Sequence, residues 1–295
     1  MKYILPIFSI LGVTSSAFSA EGGVSLISSE LTHIGSFPVT NSMVTSWVVS
    51  LFIIILVKLL VKSPTLVPTR GQLIVESAIG GIRSIVEPIV GKKAFFPSFW
   101  LLSGLFIFVL VQNWSGLMPG VGSIGKGFFI DGHFKIVDPL VRPGNADLNM
   151  TLALAIVANL FWVYYIIKYA GIKVILKDWF GNKADKNQVH ILIFAMLSLL
   201  FIAVGFIEIL SIIFRPVSLS FRLFGNVFGG ESLLHSMFLL GEDLGLPELV
   251  SKISMVIIPL PFYFMEMLIG LVQALVFMLL VSVYIGLICN HGDDH

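Results

Sequence analysis

Four formally charged side chains interrupt the longest apolar stretch of the chain, between residues 189 and 240. The titratable or charged residues of this stretch are His190, Glu208, Arg215, Arg222, Glu231 and His235. Carboxyl groups and imidazoles take up and release protons, whereas an arginine stays charged at physiological pH. Ionisable residues inside membrane segments more often mark ion or substrate paths than structural pairs. The pattern therefore predicts an ion path that contains a fixed positive charge.

The spacing of these residues predicts one polar stripe along a helix. Glu208, Arg215 and Arg222 are seven residues apart, so each lies about 20° around the helix from the last. Small and polar residues fall on or near the same stripe, and they allow another backbone to approach closely. These residues are Ser211, Ser218, Gly225, Asn226 and Gly229.

A second group of polar residues faces a different direction. Glu231 follows Arg222 by nine residues, about half a turn around the helix, and His235 is one turn further on. In the next apolar stretch, Glu266 and Gln273 are seven residues apart and share a face. Acidic and arginine side chains are therefore expected to have different neighbours.

A purely structural interpretation remains open for some of these residues. Glu208 can pair with Arg215, and Arg222 can pair with Glu231 or Glu266, as buried ion pairs that fix helix packing. This alternative is strongest for Glu208 and Arg215. It is weakest for Arg222, because no acid lies three or four residues away on its own helix.

The composition of the chain indicates an all-α integral membrane protein, so these charged residues lie among membrane helices. The chain is 57% hydrophobic and 12% charged, against about 25% charged for a soluble domain. The net charge of +1 without a dense basic run excludes a nucleic-acid partner. The single cysteine, Cys289, excludes an internal disulfide.

Five membrane-embedded helices and one surface helix are predicted to position the charges. The predicted spans are 43–61, 99–118, 149–167, 189–240 and 253–289. Residues 71–91 alternate apolar and charged positions at helical spacing, which indicates an amphipathic helix on the membrane surface. Residues 1–20 are predicted to be a cleaved signal peptide, and 21–295 a single membrane domain.

Lysine and arginine set the predicted orientation. Residues 58–93 carry six of them and 168–186 carry five, whereas 119–148 and 241–252 are neutral or acidic. The N-terminus is therefore expected outside and the C-terminus in the cytoplasm. With the two termini on opposite sides, the number of crossings must be odd. The 52 residues of 189–240, roughly 78 Å of helix, are therefore expected to cross the membrane once, tilted and bent near Pro216. Residues 253–289 are expected to return beside them.

Two segments of the sequence resemble subunit a of F-type ATP synthases. They are "RPVSLSFRLFGNVFGGE" at 215–231 and "GLVQALVFMLLVSVYIG" at 270–286, with looser support from "ADLNMTLALA" at 146–155. The resemblance implies a stator subunit whose long helix lies obliquely against a ring of c subunits. It also implies b subunits of the peripheral stalk as partners, a surrounding lipid membrane, and a bacterial inner membrane as the location.

The resemblance also implies roles for individual residues. Arg222 matches the essential arginine of the family and Asn226 the asparagine one turn on. Glu208, Glu231 and Gln273 match polar positions of its proton path, and Glu266 stands where several bacterial members have histidine. His235 is expected to supply an imidazole near Glu231, while Arg215, Ser218, Gly225 and Gly229 are expected to face the ring.

Other motifs in the sequence give weaker indications of function. "GVGSIGKG" at 120–127 lacks the serine or threonine that a phosphate-binding loop needs after its lysine, so no nucleotide site, enzymatic activity or cofactor is expected in this chain. No metal site is predicted. A self-contained secondary transporter or ion channel and a non-conducting membrane scaffold remain the alternative functions; a transporter would be expected to show internal repeats, and none is convincing here.

Overall fold

The computed structural model describes residues 28–35, 37–118, 121, 125–130, 133–169, 171 and 191–290. The predicted signal peptide at 1–20 lies outside these ranges. The helices in the described part are α1 (Asn41–Leu60), α2 (Arg70–Val90), α3 (Lys92–Ser115), α4 (Leu148–Tyr169), α5 (Ile191–Asp243), α6 (Glu248–Ile257) and α7 (Pro259–Asn290).

The predicted all-α membrane architecture is confirmed. Five helical segments of the described residues are long and apolar enough to cross a membrane. They are Asn41–Leu60, Ala94–Ser115, Leu148–Tyr169, Met196–Gly241 and Leu249–Leu287. Their outward side chains are largely apolar because lipid, not water, is the expected solvent.

Two short β-hairpins were not predicted. β1 (Glu30–Ile34) pairs with β2 (Phe37–Thr40), and β3 (Gly125–Ile130) pairs with β4 (His133–Pro139), both antiparallel. Gly35 supplies a positive φ of 64° in the turn between β1 and β2. Both hairpins lie in segments that connect or precede the membrane helices, so they do not change the fold class.

The helix predicted over 71–91 is present as α2, and its place on the membrane surface stays a prediction. The side chain of Thr69 caps its first turn by accepting a hydrogen bond from the backbone N–H of Gln72. Ile82, Val86 and Val90 form its buried apolar face. Gly91, with φ of 79°, ends α2 and lets the chain turn directly into α3.

The return segment begins earlier than predicted. Residues 248–257 form α6, whose first five residues fall in the acidic loop predicted at 241–252 and whose others fall in the predicted span 253–289, and α7 starts at Pro259. Proline has no backbone N–H and is favoured at the first position of a helix. Pro259 therefore accounts for the division of the return segment into α6 and α7.

The chain divides into two compact units. The first contains Met1–Val49, Val111–Met150 and Phe224–Leu271, and the second contains Ser50–Leu110, Thr151–Leu223 and Val272–His295. In the second unit, Val86, Leu102, Ala158, Leu223 and Phe277 belong to one buried apolar core and are fully shielded from solvent. This core joins parts of α2, α3, α4, α5 and α7 and holds the side chains of α5 that are described next.

Candidate functional site

Arg222 lies on an exposed face of α5. Its side chain is exposed, and so are Ser218, Gly225, Asn226 and Gly229 of the same helix. Within the described residues, Arg222 forms no hydrogen bond or ion pair. The alternative in which Arg222 is neutralised by a mate in its own chain is therefore not realised in the part that the structure describes.

Glu208 and Arg215 form the ion pair that the structural alternative predicted. Arg215 Nη2 donates to Glu208 Oε1 at 2.6 Å. The guanidinium carbon also lies 4.7 Å from the ring centroid of Trp162 and 4.2 Å from that of Tyr284. The Arg215 side chain is only 17% exposed, so its expected position facing a ring of partner subunits stays a prediction.

A cavity of about 280 Å³ in the second unit contains both arginines. Its lining combines apolar, aromatic and small polar residues of α4, α5 and α7. The lining residues are Ala155, Ala158, Asn159, Trp162, Ser211, Phe214, Arg215, Pro216, Ser218, Leu219, Arg222, Leu280, Val281 and Tyr284. The predicted stripe of Ser211, Arg215, Ser218 and Arg222 is thus one wall of this cavity.

In the first unit, Glu231 is largely buried near a cation that the sequence analysis did not select. The charges of Arg142 and His235 both act on Glu231. Glu231 Oε2 is buried and has no hydrogen-bond partner among the described residues. His235 is exposed one turn further along α5.

Arg142 is buried although it lies in a segment that was predicted to be an external loop. It is 3% exposed, and its Nη2 donates to the carbonyl oxygen of Ala146 at 3.1 Å. Burial lowers the pKa of Arg142, while the charges of Glu231 and Asp147 raise it. The sequence analysis counted Arg142 only toward the charge of a connecting segment; the one signal for its burial was its position close to Asp147, at the start of a predicted span.

Hydrogen bonds from α1, from α3 and from the residues before β1 fix the buried segment that carries Arg142. Asp147 Oδ2 accepts hydrogen bonds from the hydroxyls of Ser28 and Ser42, both at 2.7 Å. The Oε1 atom of Gln112 accepts from the backbone N–H of Gly144 at 3.1 Å, within the 3₁₀ turn Gly144–Ala146. This network satisfies a polar segment that would otherwise be costly to bury.

Asn113 links the buried segment to the return helix. Asn145 Nδ2 donates to Asn113 Oδ1 at 2.7 Å, and Asn113 Nδ2 donates to the carbonyl oxygen of Gly270 at 2.9 Å. Asn113 is 5% exposed. The amide therefore joins α3, the segment after β4 and α7 in the first unit.

Glu266 and Gln273, predicted to share a face of α7, are both buried. Glu266 is 9% exposed and its carboxylate lies against Gly230 of α5, in the first unit. Gln273 is 5% exposed and belongs to the second unit. Within the described residues, no group of three or more histidine, cysteine, aspartate or glutamate side chains is arranged to hold a metal ion.

Fold and site together define a polytopic α-helical membrane protein that carries an exposed arginine and buried carboxyl groups on its last long helices. The sequence model of the family described as ATP synthase A chain matches residues 43–286. The chain is also 34% identical to the ATP synthase subunit a of Geobacter sulfurreducens over 242 residues, which are 81% of this chain and 83% of that protein. This chain belongs to the ATP synthase A chain family.

Family membership establishes the general role of the chain. It is a membrane component of the Fo sector of an F-type ATP synthase, and it serves ATP synthesis and proton transport. It is not itself a catalytic subunit of that complex.

Proposed function

We propose that this chain is the stator of the proton motor, with two half-channels that are separated by the fixed charge of Arg222. The observation that carries this proposal is that Arg222 is exposed on α5 and has no partner among the described residues. A permanently charged guanidinium on a membrane helix is costly, at roughly 2.5–3.5 kcal/mol on insertion scales. A moving carboxylate from outside the chain would offset that cost.

The proposed partner is a ring of c subunits, each with one membrane-embedded carboxyl group. A carboxyl group that faces lipid is neutral, because an ionised one is too costly there. Opposite Arg222 the carboxylate form is stabilised, and the proton leaves into one half-channel. The small residues Ser218, Gly225 and Gly229 beside it leave room for a closely packed ring helix.

The outer half-channel is proposed to run past Glu231, His235, Glu266 and Gln273. The buried Glu231 Oε2, which has no hydrogen-bond partner among the described residues, is suited to accept a proton. The cavity beside Arg222 in the second unit is proposed as part of the other half-channel. Glu208 is left out of both paths because its carboxylate is engaged by Arg215.

Arg222 has a second proposed task, which is to prevent leakage. A fixed cation between the half-channels repels protons that would cross without turning the ring. Asn226, one turn further on, is exposed on the same helix and is proposed to assist at the contact with the ring. Each proton that moves down the membrane potential supplies about 2.3 kcal/mol of free energy per 100 mV.

The proposed setting is a bacterial inner membrane, with the N-terminus outside, the C-terminus in the cytoplasm, and b subunits of the peripheral stalk as further partners. The alternating lysine and arginine content of the connecting segments supports this orientation. Isolation of the complex tests the partners. A purified complex without a ring of small two-helix subunits would favour a self-contained transporter or a scaffold.

The decisive experiment is Arg222→Ala in the assembled complex. We expect ATP synthesis in inverted membrane vesicles to be abolished, and passive proton flow through the membrane sector to persist or rise. Arg83→Ala is the matched control, because Arg83 is an exposed arginine of α2 outside the proposed path. Normal ATP synthesis by the Arg222→Ala complex would refute the proposal.

A further inference from the structure

Two guanidinium groups share the cavity in the second unit. Arg215 and Arg222 both line it, and the lining residues that the structure describes include no carboxylate. Arginine stays charged at physiological pH, so neither cation can be removed by deprotonation. An anion that enters such a cavity would be attracted by both groups unless one of them is compensated.

Among the described residues, Arg215 has a partner of opposite charge and Arg222 has none. The carboxylate of Glu208 receives a charge-assisted hydrogen bond from Arg215 at 2.6 Å. The rings of Trp162 and Tyr284 lie within cation–π distance of the same guanidinium. Arg222 has no corresponding interaction with any described residue.

We propose that Glu208 is the permanent counter-ion of Arg215, and that Trp162 and Tyr284 are positioning residues that hold this pair at the cavity wall. Arg222 is then the single uncompensated cation of the cavity, and a ring carboxylate has one place to lose its proton. This inference rests on the proposed function of Arg222. It assigns Glu208 to charge balance rather than to proton transfer.

The two roles for Glu208 predict different behaviour when both charges are removed together. A proton-carrying carboxyl group cannot be replaced by an amide, whatever stands beside it. A counter-ion becomes unnecessary once the charge that it balances has gone. The pair Glu208 and Arg215 can therefore be tested by a double-mutant cycle.

The experiment compares Glu208→Gln, Arg215→Gln and the double variant in the purified ATP synthase. Each complex is reconstituted into liposomes, and proton pumping driven by ATP is measured with a pH-sensitive dye. Staining of the purified complex gives the amount of this subunit, so that assembly and pumping are separated. Glu87→Gln is the matched control, since Glu87 also pairs with an arginine, Arg83 at 2.9 Å, but on an exposed face of α2.

We expect Glu208→Gln to reduce pumping about tenfold or more, because it releases a second cation beside Arg222. The double variant should recover most of this loss, and Glu87→Gln should pump like the unmodified complex. Recovery is also the expected result if Glu208→Gln alone fails to assemble. A double variant that stays inactive, or full activity of Glu208→Gln, would overturn the proposal.

These outcomes are distinct from those for the proposed function. Loss of synthesis in Arg222→Ala, together with an inactive double variant, would retain the role of Arg222 and reject that of Glu208 as a counter-ion. Normal synthesis in Arg222→Ala would reject the stator mechanism whatever the double variant does.

Discussion

The carboxylate of Glu266 lies directly against the backbone of Gly230. A Cβ atom at position 230 would collide with both carboxylate oxygens and with the carboxyl carbon of Glu266. Gly230 immediately precedes Glu231, so the contact brings the Glu266 carboxylate of α7 to the residue before Glu231 in α5. The absence of a side chain at position 230 is what permits this approach.

Gly230→Ala should therefore impair proton transport. The new methyl group displaces the Glu266 carboxylate, which is proposed to line the outer half-channel. In the purified complex, we expect ATP-driven proton pumping to fall severalfold while the subunit still assembles. Gly80→Ala is the control, since a Cβ at Gly80 meets open space and alanine is favoured over glycine in a helix by about 0.5–1 kcal/mol. Equal pumping by the two variants would contradict the importance of this contact.

Arg142→Gln tests the buried cation that acts on Glu231. Glutamine can still donate a hydrogen bond toward Ala146 but carries no charge, so Glu231 loses its compensating cation. ATP synthesis in vesicles is expected to fall about tenfold or more.

Arg70→Gln is the control for this change, because Arg70 is an exposed residue at the start of α2. If Arg142→Gln synthesises ATP at the rate of Arg70→Gln, the charge of Arg142 has no part in the outer path.

Asn113→Leu should destabilise the first unit. The change removes the donor to the Gly270 carbonyl and the acceptor for Asn145, and it leaves both partners buried. Each buried polar group that loses its partner costs about 1–3 kcal/mol. A lower unfolding midpoint of the purified subunit in detergent is the expected result. Ser84→Leu, on the exposed face of α2, should cause much less change; equal shifts would show that the Asn113 bridge contributes little.

The exposed pair of Arg83 and Glu87 predicts how the stability of the folded chain depends on pH. The hydrogen bond from Arg83 lowers the pKa of Glu87. Burial opposes this effect, and the positive charges of Arg83 and Lys92 lower the pKa further, so that the net shift is downward. The pKa of Glu87 is therefore lower in the folded chain than in the unfolded chain. The pair stabilises the folded chain fully when the pH is above the pKa of Glu87 in the unfolded chain. This stabilisation is lost as the pH falls through the pKa of Glu87 in the folded chain.

Arg83→Gln should return the pKa of Glu87 toward its ordinary value. An NMR titration of the Glu87 side-chain carboxyl carbon in the detergent-solubilised subunit measures this change. An identical titration curve in the unmodified subunit and in the variant would show that the pair does not form in solution.

The membrane architecture could be predicted from sequence because its determinants are local. Runs of apolar residues set the helices, and the seven-residue spacing of Glu208, Arg215 and Arg222 set the stripe along α5. The pairing of Glu208 with Arg215 was also an open alternative in the sequence. These features depend on periodicity and composition, which a single chain displays directly.

The buried contacts of the first unit could not be predicted in the same way. Arg142 and Glu231 are far apart in sequence, and only the folded chain brings their charges close enough to interact. A polar segment between two spans is normally expected in water, but here serine, asparagine and glutamine side chains satisfy it in a buried place. The close contact at Gly230 likewise depends on the packing of two helices.

Pro216, which lines the cavity, also changes the hydrogen bonding of the α5 backbone. Because proline has no N–H, the carbonyl of Ile212, four residues earlier in α5, lacks its usual helical donor. A main-chain oxygen released in this way can accept a hydrogen bond from a water molecule. This hydration site would belong to the backbone, so it would persist when polar side chains nearby are substituted and would be lost only when Pro216 is replaced by a residue that has an N–H.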